Sequence, residues 1–143
     1  MTLFIQARQR RFSIRCLMSL PQDPSFLTAL PEPIGAYIQA TNSWDLNRLI
    51  ATFVDDALVN DQLQDYWSKH EIEVWAARDI IGERLSMSVI HTKKHYGHII
   101  LTANVDGNFD KRGLPDPLVL TFYFSIMNEK IVQLIILRNR SGT

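Results

Sequence analysis

Asp61 is the residue of this chain whose placement most directly suggests chemistry. It nearly closes the stretch VDDALVNDQ at positions 54–62. In an extended chain alternate residues share a face, so Ala57, Val59 and Asp61 point the same way. Two small apolar residues followed by a carboxylate describe a strand whose inner face ends in an acid. An acid aimed at an apolar interior is costly unless it is partnered or functional. Two readings follow. As a general base, Asp61 would have its pKa lifted by desolvation from about 3.9 toward neutrality, where a carboxylate accepts protons effectively. As a structural acid, it would accept hydrogen bonds from a loop at 62–67 or cap the mouth of a cavity.

Other residue types with chemical potential are placed less suggestively. His91, His95 and His98 cluster around an expected hairpin, a grouping that invites zinc. Their position beside Lys93 and Lys94 describes a solvated hairpin tip instead, and no metal site is assigned. His70 falls in the first turn of a helix and is expected to be exposed. Asn104, Asp106 and Asn108 share a face, which suits either solvent or a dimer contact. The sequence contains no Gly-rich phosphate loop, no Cys-x-x-Cys pair and no Ser-His-Asp signature. Cys16, the single cysteine, is a poor nucleophile candidate.

The elements that must position Asp61 can be read from periodicity. Pro33 suits the first turn of a helix over 33–41, with Ile34, Tyr37, Ile38 and Thr41 on one stripe. Asp45 is the expected N-cap of a second short helix carrying Leu46, Leu49, Ile50 and Phe53. The strand ending at Asp61 follows, then a loop over 62–67. Ser68 with Glu71 forms a capping-box pattern for a third helix, whose apolar face is Ile72, Trp75, Ala76 and Ile80 and which Gly82 ends. Strands are then expected over 85–92, 97–106, 118–128 and 130–138, with tight turns at Tyr96-Gly97 and Asn128-Glu129 and a longer loop over 110–117. Leu118, Leu120, Phe122, Phe124 and Ile126 form one face of the third of these strands, and Thr121, Tyr123, Ser125 and Met127 the other. Helices followed by antiparallel strands make an α+β order. The expected architecture is a cone-shaped half-barrel, three N-terminal helices packed on a curved antiparallel sheet around an interior pocket.

Composition bounds the function class. At 143 residues, 46% hydrophobic and 10% aromatic, the chain suits one domain with a sizeable core. Zero formal net charge leaves no global basic footprint for nucleic acid. No apolar run is long enough to span a bilayer; the longest, 131–137, is interrupted by Gln133 and reads as a strand. A single cysteine excludes an internal disulfide framework and fits a reducing, cytoplasmic setting. Charge is uneven, however. Arg8, Arg10, Arg11 and Arg15 stand in an acid-free start. Residues 1–24 are expected to be a basic, poorly ordered extension, with Met18 as an alternative start, or else a targeting segment of transit-peptide composition. The folded domain is expected over 25–140.

Over 26–138 the chain resembles the nuclear transport factor two-like superfamily, which includes SnoaL-like polyketide cyclases and ketosteroid isomerases. The likeness lies in ordered segments: AYIQATN at 36–42, WDL at 44–46, LIATF at 49–53, DDALVND at 55–61, Ile72-x-x-Trp75, VDGNF at 105–109, LTFYF at 120–124 and Lys130-Ile131. The resemblance implies a cone with a pocket between helices and sheet, often dimeric through the outer sheet face. It places Asp61 at the position of the isomerase's general base and Tyr37 at that of its oxyanion-stabilising tyrosine. The second oxyanion donor, a protonated aspartic acid in the family, falls at Leu120, which cannot donate a hydrogen bond. Enolisation would lack that donor, at a cost on the order of 3 kcal/mol.

The expectation is therefore a domain that binds a small apolar or carbonyl-containing ligand and forms a homodimer, without nucleic-acid or membrane partners. Trp44, Trp75, Leu120 and Phe122 are the expected pocket residues. The expected reaction is proton abstraction next to a carbonyl, as in isomerisation or aldol-type cyclisation, by Asp61 with Tyr37 stabilising the enolate. No organic cofactor is implied, since moving a proton needs only a carboxylate. The competing expectation is a non-catalytic ligand-binding or dimerisation module with Asp61 paired to a fixed cation such as Arg78 or Arg84.

Overall fold

The computed structural model of the protein describes residues 2–3, 5–10 and 30–139. The chain divides into two units, Met1–Leu30 and Pro31–Thr143. In the first, Thr2–Leu3 (β1) and Ile5–Arg10 (β2) pair in parallel. The expectation of a poorly ordered leader falls mostly on residues 11–24, which lie outside the described residues together with Cys16 and Met18.

The second unit opens with α1, Glu32–Ser43, carrying Pro33 in its first turn, where a missing N–H costs nothing. The stripe Ile34, Tyr37, Ile38 and Thr41 is buried along its length. Helix α2, Leu46–Ala51, is capped by Asp45, whose side chain accepts from the Arg48 N–H at 3.2 Å. Strand β3, Phe53–Asp61, follows at once, with Phe53, Ala57 and Val59 buried.

Residues 62–67 are not a loop. Gln64–Trp67 is a strand, β4, hairpinned onto β3 through the two-residue turn Gln62-Leu63. Both turn residues adopt positive φ, 52° and 73°. The twist of a two-residue hairpin favours that conformation, for which glycine or asparagine is the usual signal. Here other bonds supply the preference. Asn60 Oδ1 accepts from the Leu63 N–H at 3.1 Å, and the Gln62 N–H donates to the Ile136 carbonyl at 3.0 Å.

Helix α3 spans Ser68–Ala76. The expected Ser68–Glu71 capping box does not form: the Glu71 carboxylate accepts instead from the N–H of Trp67, the N-cap residue, at 2.7 Å, and Ser68, at φ 77°, makes no capping bond. The helix continues as a widened turn, Ala77–Ile81, and stops at Gly82. Gly82 does so without the left-handed conformation expected of a C-terminal glycine, since its φ is −61°. Glycine is needed there for close approach: a Cβ would meet the Arg78 carbonyl oxygen at 2.7 Å and that of Ala77 at 3.0 Å. Both contacts are backbone, so neither can swing aside. Gly82→Ala should cost about 1–3 kcal/mol, read from the urea midpoint. An unchanged midpoint would show that the turn relaxes freely.

The remaining strands, β5 (Ser86–His95), β6 (His98–Asp106), β7 (Leu118–Met127) and β8 (Lys130–Arg138), follow the predicted pattern closely. The sheet order is β4-β3-β8-β7-β6-β5, open at both ends. It is mixed rather than wholly antiparallel, because β3 enters from the helices and lies parallel to β8. Register shifts in the β3–β8, β5–β6 and β7–β8 pairs supply the irregularities that bend a sheet. Asn42 ties α1 to the edge strand: its amide donates to the Met87 carbonyl at 3.0 Å and accepts from the Met87 N–H at 2.7 Å. The core lies between the helices and the inner sheet face, built on Tyr37, Leu49, Ile72, Trp75, Phe122, Phe124 and Leu134. Among the described residues, no helix is long and apolar enough to cross a membrane.

Candidate functional site

Three elements bring three side chains together. Alternation along β3 turns Asp61 inward behind Ala57 and Val59. The apolar stripe of α1 turns Tyr37 inward, and that of α3 turns Trp75 inward, each only 1% exposed. The Tyr37 ring is fixed by edge-on packing against Phe53, Phe122 and Phe124, with centroids 6.2, 6.4 and 5.3 Å away. The Trp75 indole Nε1 donates to Asp61 Oδ2 at 3.0 Å, and Gln62 Nε2 approaches Oδ1 at 3.4 Å.

Tyr37, Asp61 and Trp75 line one cavity of about 400 Å³, within the range typical of small-molecule sites. Its apolar wall comes from Val105 of β6, Leu118, Leu120 and Phe122 of β7, and Ile136 of β8. Phe109 and Leu114 reach it from the loop before β7. Asp79, Ile80, Glu83 and Leu85 reach it from the chain after α3, and Arg138 stands at the end of β8. Two larger depressions, of about 990 and 660 Å³, share Leu114 with this cavity, and neither is lined by Asp61 or Tyr37.

Burial raises the Asp61 pKa above the ordinary carboxylate value. The hydrogen bonds from Trp75 and Gln62 oppose that shift, the nearby charge of Asp79 adds to it, and Arg78 opposes it. Tyr37 is pushed well above the ordinary tyrosine range, first by burial and then by the charge of Asp61. The Thr41 hydroxyl opposes this, although it lies outside hydrogen-bond geometry. A tyrosine shifted this way stays protonated at working pH, so it can donate a hydrogen bond and cannot serve as a base. Asp61 and Tyr37 are thus suited to complementary roles, one taking a proton and the other steadying developing negative charge.

The expected cation partners of Asp61 are engaged elsewhere. Arg78 pairs with Asp79 at 2.8 Å and donates to the Tyr66 hydroxyl at 2.9 Å. The Arg84 guanidinium sits over the Trp44 ring at 4.7 Å. Trp44 itself is outside the cavity lining. It is the left-handed C-cap residue of α1, 40% exposed, and its indole donates to the Leu85 carbonyl at 2.8 Å. A residue past the end of a helix does not continue its buried stripe, which is why aromatic type alone misplaced it. Trp75, Leu120 and Phe122 do line the cavity. His91, His95 and His98 are exposed on the β5–β6 hairpin, with His98 Nδ1 2.9 Å from the Ser125 hydroxyl.

Sequence reasoning missed Asp79, Glu83 and Arg138 as lining residues. The first two follow the main stripe of α3 and reach the cavity through the widened turn, which no periodicity signals. Arg138 had a legible signal: Leu134, Ile136 and Arg138 alternate along β8 as Ala57, Val59 and Asp61 do along β3.

No family model and no curated protein matches the sequence. Solved structures do match the fold. A candidate polyketide cyclase from Sinorhizobium meliloti is 24% identical, with 78% of this chain and 98% of that one covered at a TM-score of 0.70. A hypothetical protein of ketosteroid isomerase-like fold from Catenulispora acidiphila, in complex with trimethylamine, is 19% identical, covering 75% and 85% at 0.63. A candidate ketosteroid isomerase from Kribbella flavida is 8% identical, covering 79% of each chain at 0.63. These likenesses, over about three quarters of the chain, establish its fold as the nuclear transport factor two-like cone.

Proposed function

We propose that the cavity binds a small, mostly apolar carbonyl compound and abstracts a proton next to the carbonyl. The observation that carries this reading is the pairing of a desolvated carboxylate with a buried, protonated tyrosine on one cavity of about 400 Å³. Asp61 is the base, and Tyr37 donates to the enolate oxygen. Trp75 holds the carboxylate through its indole N–H. The likeness to proteins described as a candidate cyclase and a candidate isomerase supports the same chemistry.

The reaction is tested by following deuterium incorporation next to the carbonyl of small aryl ketones by proton NMR. Tyr37→Phe keeps the ring packing and removes the donor, and should slow exchange about 10²-fold or more while Asp61 remains a base. Exchange that is no faster with the wild-type protein than with buffer, across the ketones, overturns the reading. A second reading, a binding module without catalysis, is favoured by Leu120, which leaves the β7 wall without a second donor. It predicts tight ketone binding with no exchange.

A further inference from the structure

Arg138 is the last residue of β8 and shares a face with Leu134 and Ile136, both buried. Its cross-strand partner on β7 is Leu120, as Ile136 is that of Phe122 and Leu134 that of Phe124. All of these lie on the face that covers the helices. Arg138 therefore stands on the cavity wall beside Leu120, and it is exposed at the mouth, where it also lines the adjoining 990 Å³ depression with Gln62 and Leu114. Arg78 and Arg84 are each held by a partner within the fold. Among the described residues, no carboxylate pairs with Arg138. An unpaired planar fork of N–H donors beside an apolar wall is shaped to receive a carboxylate in two parallel hydrogen bonds.

The opposite charge is placed elsewhere on the same cavity. Asp61 and Glu83 line it, and Asp79 there is already paired with Arg78, so an anionic group finds no free cation on that side and is drawn to Arg138. The two ends are also spaced for a small molecule. Asp61 pairs with Ile136 across the β3–β8 ladder, and Arg138 lies two residues beyond it. Strand spacing and rise put the two Cα atoms about 8 Å apart. A ligand bridging them would carry its anion a few bonds from its acidic carbon.

We infer that Arg138 is the specificity-determining residue of the cavity and that the substrate is a keto acid, its carboxylate seated on the Arg138 guanidinium and its enolisable carbon turned toward Asp61. The carboxylate contact stands on the position of Arg138 alone, and the placement of the enolisable carbon rests on the proton-abstraction reading above.

The test uses 4-oxo-5-phenylpentanoate and its methyl ester, which share a carbonyl and an apolar ring and differ in charge. Binding is measured by titration calorimetry, and deuterium exchange at the benzylic carbon by NMR. Wild-type protein should bind the acid at least tenfold more tightly than the ester. Arg138→Gln should erase that preference without shifting the melting temperature, and Arg138→Lys should restore part of it. Equal binding of acid and ester by the wild type, or a preference that survives Arg138→Gln, overturns the inference. Asp61→Asn separates the two claims. If it leaves exchange unaffected while the acid preference tracks Arg138, the base is misassigned and the anion site stands. If it abolishes exchange while the acid preference ignores Arg138, the base stands and the anion site falls.

Discussion

Asp61→Asn should slow ketone proton exchange by about 10²- to 10⁴-fold, the usual contribution of a positioned base, while leaving the protein folded. Asparagine has nearly the same shape, and its oxygen can still accept from Trp75 Nε1, now 3.0 Å from Asp61 Oδ2. It cannot take a proton from carbon. The stability side has a definite sign. Burial raises the Asp61 pKa above its ordinary 3.8. From that value up to the raised one, the folded protein holds a proton the unfolded chain has released. Stability therefore falls as pH rises through this window and stays lowered above it. Asp61→Asn removes that penalty, so at pH 7 the variant should be at least as stable as the wild type. As pH rises from 3.8 through the raised Asp61 pKa, the wild type should lose stability relative to the variant. Denaturant melts at several pH values, set beside exchange rates, check both halves. Unchanged exchange, or a variant clearly less stable at pH 7, would make Asp61 a structural acid. A group that costs stability where it is needed for turnover is the usual signature of a functional residue.

Trp75 carries the second large effect, because it serves packing and the carboxylate at once. Its side chain is 1% exposed and tilted over Tyr66 with ring centroids 6.0 Å apart. Trp75→Ala should cost about 3–5 kcal/mol, a large share of the roughly 5–15 kcal/mol that stabilises a domain. Trp75→Phe isolates the second role. Most of the ring remains, but Asp61 loses a donor that favours its charged form. Its pKa should then rise further. A hydrogen bond to a charged group is worth about 1.5–3 kcal/mol, so the acidic limb of the exchange rate should move up by about one pH unit or more. A limb that stays in place would show that the indole N–H does not tune the base.

Asp61 and its inward direction were legible because strand alternation is a local rule. The same rule, carried to β8, finds Arg138 on the same sheet face, two residues past the cross-strand partner of Asp61. Tyr37 and Trp75 were legible as members of apolar stripes, since a helix face must be buried wherever it packs. What each meets was not legible. Trp75 donates to Asp61 across 14 positions, and Asn42 bonds Met87 across 45. Gln62-Leu63 carries no turn signal because neither residue favours positive φ, and the bonds to Asn60 Oδ1 and to the Ile136 carbonyl that hold the turn exist only once β3, β4 and β8 are assembled.

The sequence by itself determined the α+β order, most strand limits, the buried stripes and the acid at the end of β3, because each rests on periods of 2 or 3.6 and on turn and cap preferences. Tertiary structure decided the parallel β3–β8 pairing, the exit of Trp44 from the cavity, the indole that holds Asp61, the partners that occupy Arg78 and Arg84, and the lack of a carboxylate partner for Arg138 among the described residues. Those outcomes depend on register between strands and on which charges meet across the fold, and no local period encodes either.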